Sequence, residues 1–265
     1  MFKPSFFAAL AFLTFSGHVG AQTPAPEPQP VQTFEIAHPS HLELHFDSNW
    51  KLITPPNPEG YVRKILGTTA QGQLVVQDFH AKNQLPYTSP AILNSAEAAL
   101  QWMFDSPPAQ TSLTYYDEQG RKGRWSATQP ESAVQEETYH PNGHVATRIT
   151  KLTRNLIRTD KWYPDGQQSG TVTYSDDNEN RPQFHSMRMW WPNGAPRFVI
   201  HTEGDAGGKA SAIQAWSADG APLQEQRQDL IDGALYALVD LDYTAAVALH
   251  VAFNQEASSK SKKAR

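Results

Sequence analysis

Five glycines, each preceded at four residues by an aromatic side chain, constrain the fold of this chain more than any other feature. Their spacings along the chain are 23, 23, 28 and 26 residues. Three motifs read aromatic-x-Pro-Asn/Asp-Gly, and two keep the register with other turn residues. The five pairs are Tyr116 and Gly120, Tyr139 and Gly143, Trp162 and Gly166, Trp190 and Gly194, and Trp216 and Gly220.

The motif predicts a tight hairpin turn. Proline presets φ for the first central position of a type I turn, and glycine then takes the left-handed conformation that closes a bulged hairpin. Another residue there would cost roughly 1 kcal/mol through its Cβ. Further turn residues halfway along the periods, at 129–132, 154–155, 176–180 and 204–208, make each period two strands and two turns. The sequence therefore predicts a mainly β fold, an antiparallel β-meander of tandem hairpins.

The repeated aromatic is predicted to form a ladder that joins the hairpins, because a single hairpin is not stable alone. Each ring would contribute about 1.5–3 kcal/mol by burial. A stacking platform for sugars or peptides is the alternative role for this register. The next residue along points to the opposite face, and Tyr163 and Trp191 there would need a partner if that face is open. The residues of this second row are Asp117, His140, Tyr163, Trp191 and Ser217, of which His140, Tyr163 and Trp191 are the predicted binding residues.

These hairpins resemble the variant MORN repeats of bacterial proteins, which are often grouped with an antitoxin-like family. The resemblance covers about residues 60–225, and residues 74–80 look like the entry segment of exported members. It implies a β-meander with a role in protein interaction and brings no catalytic residues. The regular Tyr-x-Gly-x-Trp run of the eukaryotic repeats is lacking, so phosphoinositide binding is not implied. The segments that carry the likeness are 115–120, 138–143, 161–166, 189–194 and 215–220.

The first residues are typical of a cleavable secretory signal. Lys3 provides a basic start, residues 6–15 form an apolar run, and small residues lead up to Ala21. A membrane anchor is the alternative, but about ten apolar residues span only half a bilayer. The sequence thus predicts a signal peptide over 1–21, cleavage after Ala21 and a periplasmic or secreted protein. The chain has no cysteine, so its core must hold without disulfides.

The remainder divides into four further segments. Within residues 22–33, proline occupies every second position from 24 to 30, which predicts an extended polyproline linker without hydrogen bonds. A β-hairpin repeat domain is predicted over 34–229, with clear repeats at 112–226. Residues 230–257 are apolar, are ambiguous between strand and helix, and are predicted to cap the open end of the array. Residues 258–265 are predicted to be a solvated basic tail, with membrane-surface contact as the alternative.

One repeat is missing between Gly72 and Gly120, and a short inserted helix is predicted in its place. Asn94 would cap its start, with Glu97 reaching back. The apolar stripe of this helix would pack over one end of the sheet. Its members are Ala96, Ala99, Leu100 and Met103.

Apolar and polar residues alternate near the start of the repeat domain, and this alternation predicts a half-buried strand. The polar face of that strand could hold a metal ion, but isolated polar faces show the same pattern. We therefore predict no metal site and no cofactor. The apolar residues are Leu42, Leu44 and Phe46, and the polar ones are His41, Glu43 and His45, with His38 nearby.

The usual catalytic signatures are absent from the sequence. It contains no Gly-x-Ser-x-Gly elbow, no His-Glu-x-x-His, no phosphate-binding glycine loop and no cysteine nucleophile. A formal net charge of −5 argues against nucleic acid as the main partner. The sequence therefore predicts a non-enzymatic scaffold that binds another protein in the bacterial cell envelope. Binding of carbohydrate or cell wall through exposed Tyr and Trp is the alternative.

Overall fold

The chain is mainly β, with two antiparallel sheets built from hairpins and two helices near the C-terminus. The predicted fold class is therefore confirmed. The computed structural model describes residues 22–93, 95–101, 112–127, 133–176, 182–202, 210–224 and 227–263. The predicted signal peptide, Asn94, Met103 and the turns at 129–132, 177–180 and 204–208 lie outside the described residues.

The first sheet has four strands in the order β1-β2-β3-β4, and every neighbouring pair is antiparallel. Its core packs Ile65, Val76 and Leu93 against Leu113 of the next sheet. Leu42 was expected on the buried side of β1 but is 58% exposed; it is the first paired residue after the register shift between β1 and β2, where the regular alternation of faces is interrupted. The strands are β1 His38–Phe46, β2 Tyr61–Thr68, β3 Leu74–His80 and β4 Ala91–Leu93.

The second sheet has nine strands that follow one another in strict chain order. The two sheets are linked where residues 87–89 run beside its first strand: Ser89 N donates to Thr114 O and Tyr116 N donates to Tyr87 O, both at 2.8 Å. The strands are β5 Ser112–Tyr116, β6 Lys122–Ala127, β7 Ala133–Tyr139, β8 Val145–Lys151, β9 Leu156–Trp162, β10 Gln168–Ser175, β11 Gln183–Trp190, β12 Pro196–Thr202 and β13 Ala210–Ala215.

The five motif glycines close one kind of turn. Their φ angles lie between +76° and +87°, in the left-handed region that favours glycine. In the turn of Gly143, the glycine N donates to His140 O at 2.8 Å and His140 N donates to His144 O at 2.9 Å. The other four turns repeat both bonds. The turns have the shape that the sequence motif predicts.

Two further turns follow the same plan without glycine. Trp50 comes four residues after the buried Phe46, has φ +60° and donates from its N to Asp47 O at 3.1 Å. Gln84 has φ +58° and donates to His80 O at 2.9 Å, in a turn that is one residue longer. Among the described residues, these two are the non-glycine residues with positive φ. The array is therefore longer than its glycines indicate.

The C-terminal segment forms two helices, α1 Arg227–Val239 and α2 Tyr243–Lys263. They pack on one face of β10 to β13, where Leu238 and Leu249 join a core with Met187 and Ile200. The segment was expected to cap the open end of the array, but it covers a face. The reason is that the alternate residues of these strands make that face apolar. The predicted basic tail continues α2 as far as Lys263.

The inserted helix is a single turn of 3₁₀ helix, Ala98–Leu100. Ser95 Oγ accepts a hydrogen bond from Ala98 N at 3.2 Å, whereas Glu97 makes no side-chain cap. Ala99 packs into the core of the first sheet, and Leu100 is 51% exposed. The turn ends at Gln101, whose backbone is extended with φ −105° and ψ 163°, and Arg63 Nη1 donates to Ala99 O and Gln101 O.

Residues 22–32 lie extended across one face of the second sheet, and we call them the strap. The expectation of a linker without hydrogen bonds is wrong. Alternating prolines leave an amide at every second position, and three of these amides bond to the sheet. From Thr23 to Gln32 the strap bonds to β10, β9, β8, β7, β6 and β5 in that order.

Candidate binding surfaces

The predicted binding residues His140, Tyr163 and Trp191 are all partly buried along one margin of the second sheet. The polar tip of each donates to the main-chain oxygen of the ladder aromatic in the next hairpin. His140 Nε2 donates to Trp162 O at 2.9 Å, Tyr163 Oη to Trp190 O at 2.8 Å and Trp191 Nε1 to Trp216 O at 2.9 Å. We call these three bonds the aromatic clips. The residues therefore link neighbouring repeats.

The rings in the clips are also partly covered. The Arg197 guanidinium lies 4.4 Å from the centroid of the Trp191 ring, which occupies one face of the indole. Burial raises the pKa of the Tyr163 hydroxyl. The two aromatics expected to present open rings thus have less free surface than alternation alone suggests.

Asp117 and Ser217 occupy the same position in their repeats but bond within their own turns. Asp117 Oδ1 accepts from the amides of Gln119 and Arg121, both at 2.9 Å. Hydrogen bonding from the Arg121 amide lowers the pKa of the Asp117 carboxyl. Ser217 Oγ donates to Ala221 O at 3.0 Å. A carboxylate cannot donate to the carbonyl of the next repeat, which explains why Asp117 forms no clip.

Turn asparagines form a second set of links, the amide clips. Asn142 Nδ2 donates to Pro164 O at 2.7 Å, and Asn193 Nδ2 donates to Ala218 O at 2.6 Å. Asn83, in the turn where Gln84 takes the place of glycine, donates in the same way to Glu118 O at 2.7 Å. An Asn side chain at this position can donate to the neighbouring turn, whereas an Asp carboxylate cannot. In the Gly143 turn, His144 Nδ1 also donates to Pro164 O, at 3.0 Å.

The ladder aromatics lie on the opposite side of their strands from the clips. Tyr139, Trp162 and Trp190 are buried, and Tyr116 and Trp216 are partly buried. Tyr139 and Trp162 form a cluster with Trp125 and Val145. The strap covers this cluster through Ala25, so the rings are closed to an outside ligand while the strap is in place.

A buried carboxylate lies beneath the strap. Glu137 has no exposed surface and accepts from Arg148 Nε at 2.6 Å, from Tyr139 Oη at 2.8 Å and from the strap amide of Gln29 at 3.0 Å. Burial, followed by the hydrogen bond to Glu137, raises the pKa of Tyr139. The charge of Glu137 is thus balanced by Arg148, and the strap supplies one of its donors.

Five of the nine large apolar side chains that are exposed in the described part of the chain lie on the two helices. Tyr236 and Val239 lie on α1, and Tyr243, Val247 and Val251 follow one another at four-residue intervals on α2. Tyr236 is 77% exposed and Tyr243 is 71% exposed. We call these five residues the helical face. Within the described part of the chain, no helix is long and apolar enough to cross a membrane.

An aromatic cluster that the sequence reasoning missed surrounds Trp50. Its ring stacks on Tyr61 with centroids 4.2 Å apart, and Tyr61 contacts Tyr87 at 4.7 Å. The guanidinium carbon of Arg63 lies 5.7 Å from the Trp50 ring centroid. The sequence did contain a signal for this turn: Phe46 precedes Trp50 by four residues, as the aromatic residue precedes the glycine in each of the five motifs. The rings mainly contact one another and stabilise the first sheet.

The residues that suggested a metal site do not form one. Glu43 pairs with Lys64 at 3.5 Å, and His41 lies exposed on β1. Among the described residues, no group of three or more His, Asp or Glu could hold a metal ion.

No protein-family model matches the chain, and no curated protein matches its sequence. The likeness to the variant MORN repeats stays a prediction.

Proposed function

We propose that this protein is exported to the bacterial cell envelope and acts there as a non-enzymatic scaffold that binds another protein. The signal-like N-terminus supports the location. The helical face supports the binding role, and it is the one observation that carries this proposal.

Soluble monomers rarely expose contiguous apolar side chains over more than a few hundred Å². On α2, residues spaced by four lie one above another, so Tyr243, Val247 and Val251 form a stripe. The buried side of each helix is already packed on the sheet. Tyrosine combines a large apolar ring with a polar tip, a combination that is enriched where proteins bind one another. The helical face is therefore a surface suited to a protein groove or to another helix.

The alternative of sugar binding has less support. Its platform would use Tyr163 and Trp191, but both are half-buried and bonded to the next repeat. Tryptophan fluorescence with cell-wall fragments tests it directly, because a bound sugar at millimolar concentration would quench Trp191. Absence of quenching would exclude that role for this ring.

The protein-binding role is tested by crosslinking the full-length chain in its native envelope and isolating it with its partner. The double variant Tyr236→Ser/Tyr243→Ser should lose the partner. Because both side chains are exposed, the free energy of unfolding should change by no more than about 0.5 kcal/mol for each.

The control is Leu100→Ser, which removes an apolar side chain that is 51% exposed on a different surface. It should retain the partner. Equal recovery with the double variant, or no partner above background with the wild type, would refute the proposal. A concentration-dependent dimer that only the double variant abolishes would identify the partner as a second copy of the chain.

A further inference from the structure

We propose that the surface beneath the strap is a binding groove for an extended, proline-alternating peptide, and that the strap is a displaceable occupant held in cis. The groove consists of Gln168, Gly166, Trp162, Arg148, Glu137, Lys122 and Ser112, and we call it the strap groove. This proposal goes beyond the scaffold role and does not depend on it.

The strap has the features of a bound peptide ligand. Prolines at 24, 26, 28 and 30 keep it extended and leave amides only at the residues between them. Thr23 N donates to Gln168 Oε1 at 3.1 Å, Ala25 N to Gly166 O at 2.9 Å and Gln29 N to Glu137 Oε2 at 3.0 Å. Three of the amides that the proline spacing leaves available thus find an acceptor in the groove.

The groove also supplies donors for the carbonyls of the peptide. Trp162 Nε1 donates to Thr23 O at 3.0 Å, Arg148 Nη2 to Glu27 O at 3.1 Å and Lys122 Nζ to Gln29 O at 3.4 Å. An indole N–H aimed at a peptide carbonyl beside aromatic rings is the chemistry that suits an extended proline-rich segment. Such a segment is pre-extended, so it loses little conformational entropy on binding.

Most of the groove bonds come from side chains, and the strands beneath remain paired with one another. Glu137 pairs with Arg148 in the register of β7 and β8, and Arg148 pairs with Asp160 in that of β8 and β9. The sheet therefore keeps its own ladder if the strap leaves. What the strap adds is a second layer of hydrogen bonds on top of a complete sheet.

The strap is held loosely enough to be displaced. None of its residues is fully buried, and Pro24, Glu27, Pro28 and Pro30 are exposed. Its affinity in cis gains from an effective concentration in the millimolar range. A free peptide with the same proline pattern must compete with the strap for the groove. Its apparent affinity is therefore its intrinsic affinity multiplied by the fraction of molecules whose groove is open.

The strap groove and the helical face lie on opposite sides of the sheet. Trp162 and Asp160 point to the strap side of β9, whereas Thr159 Oγ1 donates to Asp242 Oδ2 on the helix side at 2.6 Å. Loss of one binding activity therefore leaves the other intact, so the two proposals can fail separately.

The first test uses the full-length chain with its own strap weakened by Ala25→Pro and Gln29→Pro. These changes keep the strap extended and remove two amide donors. A labelled peptide of residues 22–32 should bind this variant at least about tenfold more tightly than the wild type, because the two lost bonds, one of them to a carboxylate, together correspond to roughly a tenfold change or more. The peptide carrying both prolines is the control and should not bind. No saturable binding to the variant, with wild-type near-UV circular dichroism, would overturn the proposal.

The second test remains decisive if that variant does not fold. The chain has no cysteine, and a Cβ built on Gly166 would lie 3.8 Å from the Cβ of Ala25, a typical separation for a disulfide. Full-length Ala25→Cys is mixed with full-length Gly166→Cys under mild oxidation. A disulfide between the two chains is expected if straps leave their grooves.

The double variant Ala25→Cys/Gly166→Cys on one chain is the matched control. Its disulfide should form within the chain and should abolish uptake of the peptide until it is reduced. If the double variant closes and the mixed single variants never link, the strap is a fixed part of the fold and the proposal is refuted.

Discussion

Arg63 and Asp78 face each other across β2 and β3 and form a doubly hydrogen-bonded ion pair with no exposed surface. The Nε–Oδ1 and Nη2–Oδ2 distances are 2.7 and 2.9 Å. The remaining nitrogen of the guanidinium holds the 3₁₀ turn through Ala99 O and Gln101 O. One buried charge pair thus joins the sheet to the segment that follows it.

Replacing Asp78 with Asn should lower the free energy of unfolding by about 3–5 kcal/mol, because Arg63 would remain buried without a counter-charge. Urea denaturation of the full chain measures the change. Glu43→Gln in the exposed pair with Lys64 is the control and should cost less than about 1 kcal/mol. Similar losses for the two variants would contradict the role given to the buried pair.

The amide clips predict that Asn142→Asp is destabilising. The aspartate can still accept from His144 N but cannot donate to Pro164 O, which keeps only its bond from His144 Nδ1. A loss of about 0.5–1.5 kcal/mol is expected for the one bond removed. For a chain of this size, 1 kcal/mol corresponds to a melting temperature lower by about 2–4 °C. Asp165→Asn at the same position of the next repeat removes no clip and should be neutral or stabilising. Two equal decreases in melting temperature would argue against the clips.

Two glycines should differ sharply on replacement by alanine. A Cβ at Gly60 would lie 1.8 Å from Phe46 O, whereas a Cβ at Gly143 would meet nothing within 4 Å. Gly143→Ala therefore carries only the strain of φ +87°, roughly 1 kcal/mol. Gly60→Ala must displace backbone and should cost more than about 3 kcal/mol. The difference is measurable by chemical denaturation, and a Gly60 variant as stable as the Gly143 variant would show that the backbone there can yield.

Stability should fall in alkali through the aromatic cluster. Burial, helped by the nearby Tyr61 and Asp78, raises the pKa of Tyr87 to about 12 from the ordinary 10.0. The folded state therefore holds this proton more tightly than the unfolded state. The resulting contribution is complete below pH 10.0 and is lost as the pH rises towards about 12. In urea titrations across this range, Tyr87→Phe should lose stability less steeply than the wild type; parallel curves would rule the mechanism out.

The hairpin array could be predicted from the sequence because each of its turns depends on one residue type at one position. Gly143 and Gly166 need φ near +87°, and such a requirement is visible locally. The turn at Trp50 escaped detection because its left-handed residue is a tryptophan, supported by stacking on Tyr61. Tertiary contact there overrides the local preference that a motif search detects.

The candidate binding surfaces were harder to predict because they depend on residues far apart in sequence. Proline spacing predicted that the strap is extended, but its partner Glu137 lies more than a hundred residues away. The sequence left the C-terminal segment ambiguous between strand and helix because residues 235–241 alternate as a strand would. The apolar face of β10 to β13, on which the helices pack, makes the helical arrangement favourable. The partial burial of Tyr163 and Trp191 was likewise hard to predict, because their side chains bond to main-chain carbonyls of the next repeat.

The clips also determine where this molecule can change its length. Five residues separate the strands at each clipped margin, from Tyr116 to Lys122 through to Trp190 to Pro196. At the other margin the gap is four residues between β8 and β9 but seven between β10 and β11. One border of the sheet therefore has a constant turn length, and most of the difference between these two repeats comes from the other border, with the rest from the longer strands β10 and β11. Insertions and deletions should be tolerated in the loops along that second border. An extra residue in a clipped turn would instead shift the clip donors relative to their acceptors in the neighbouring hairpin.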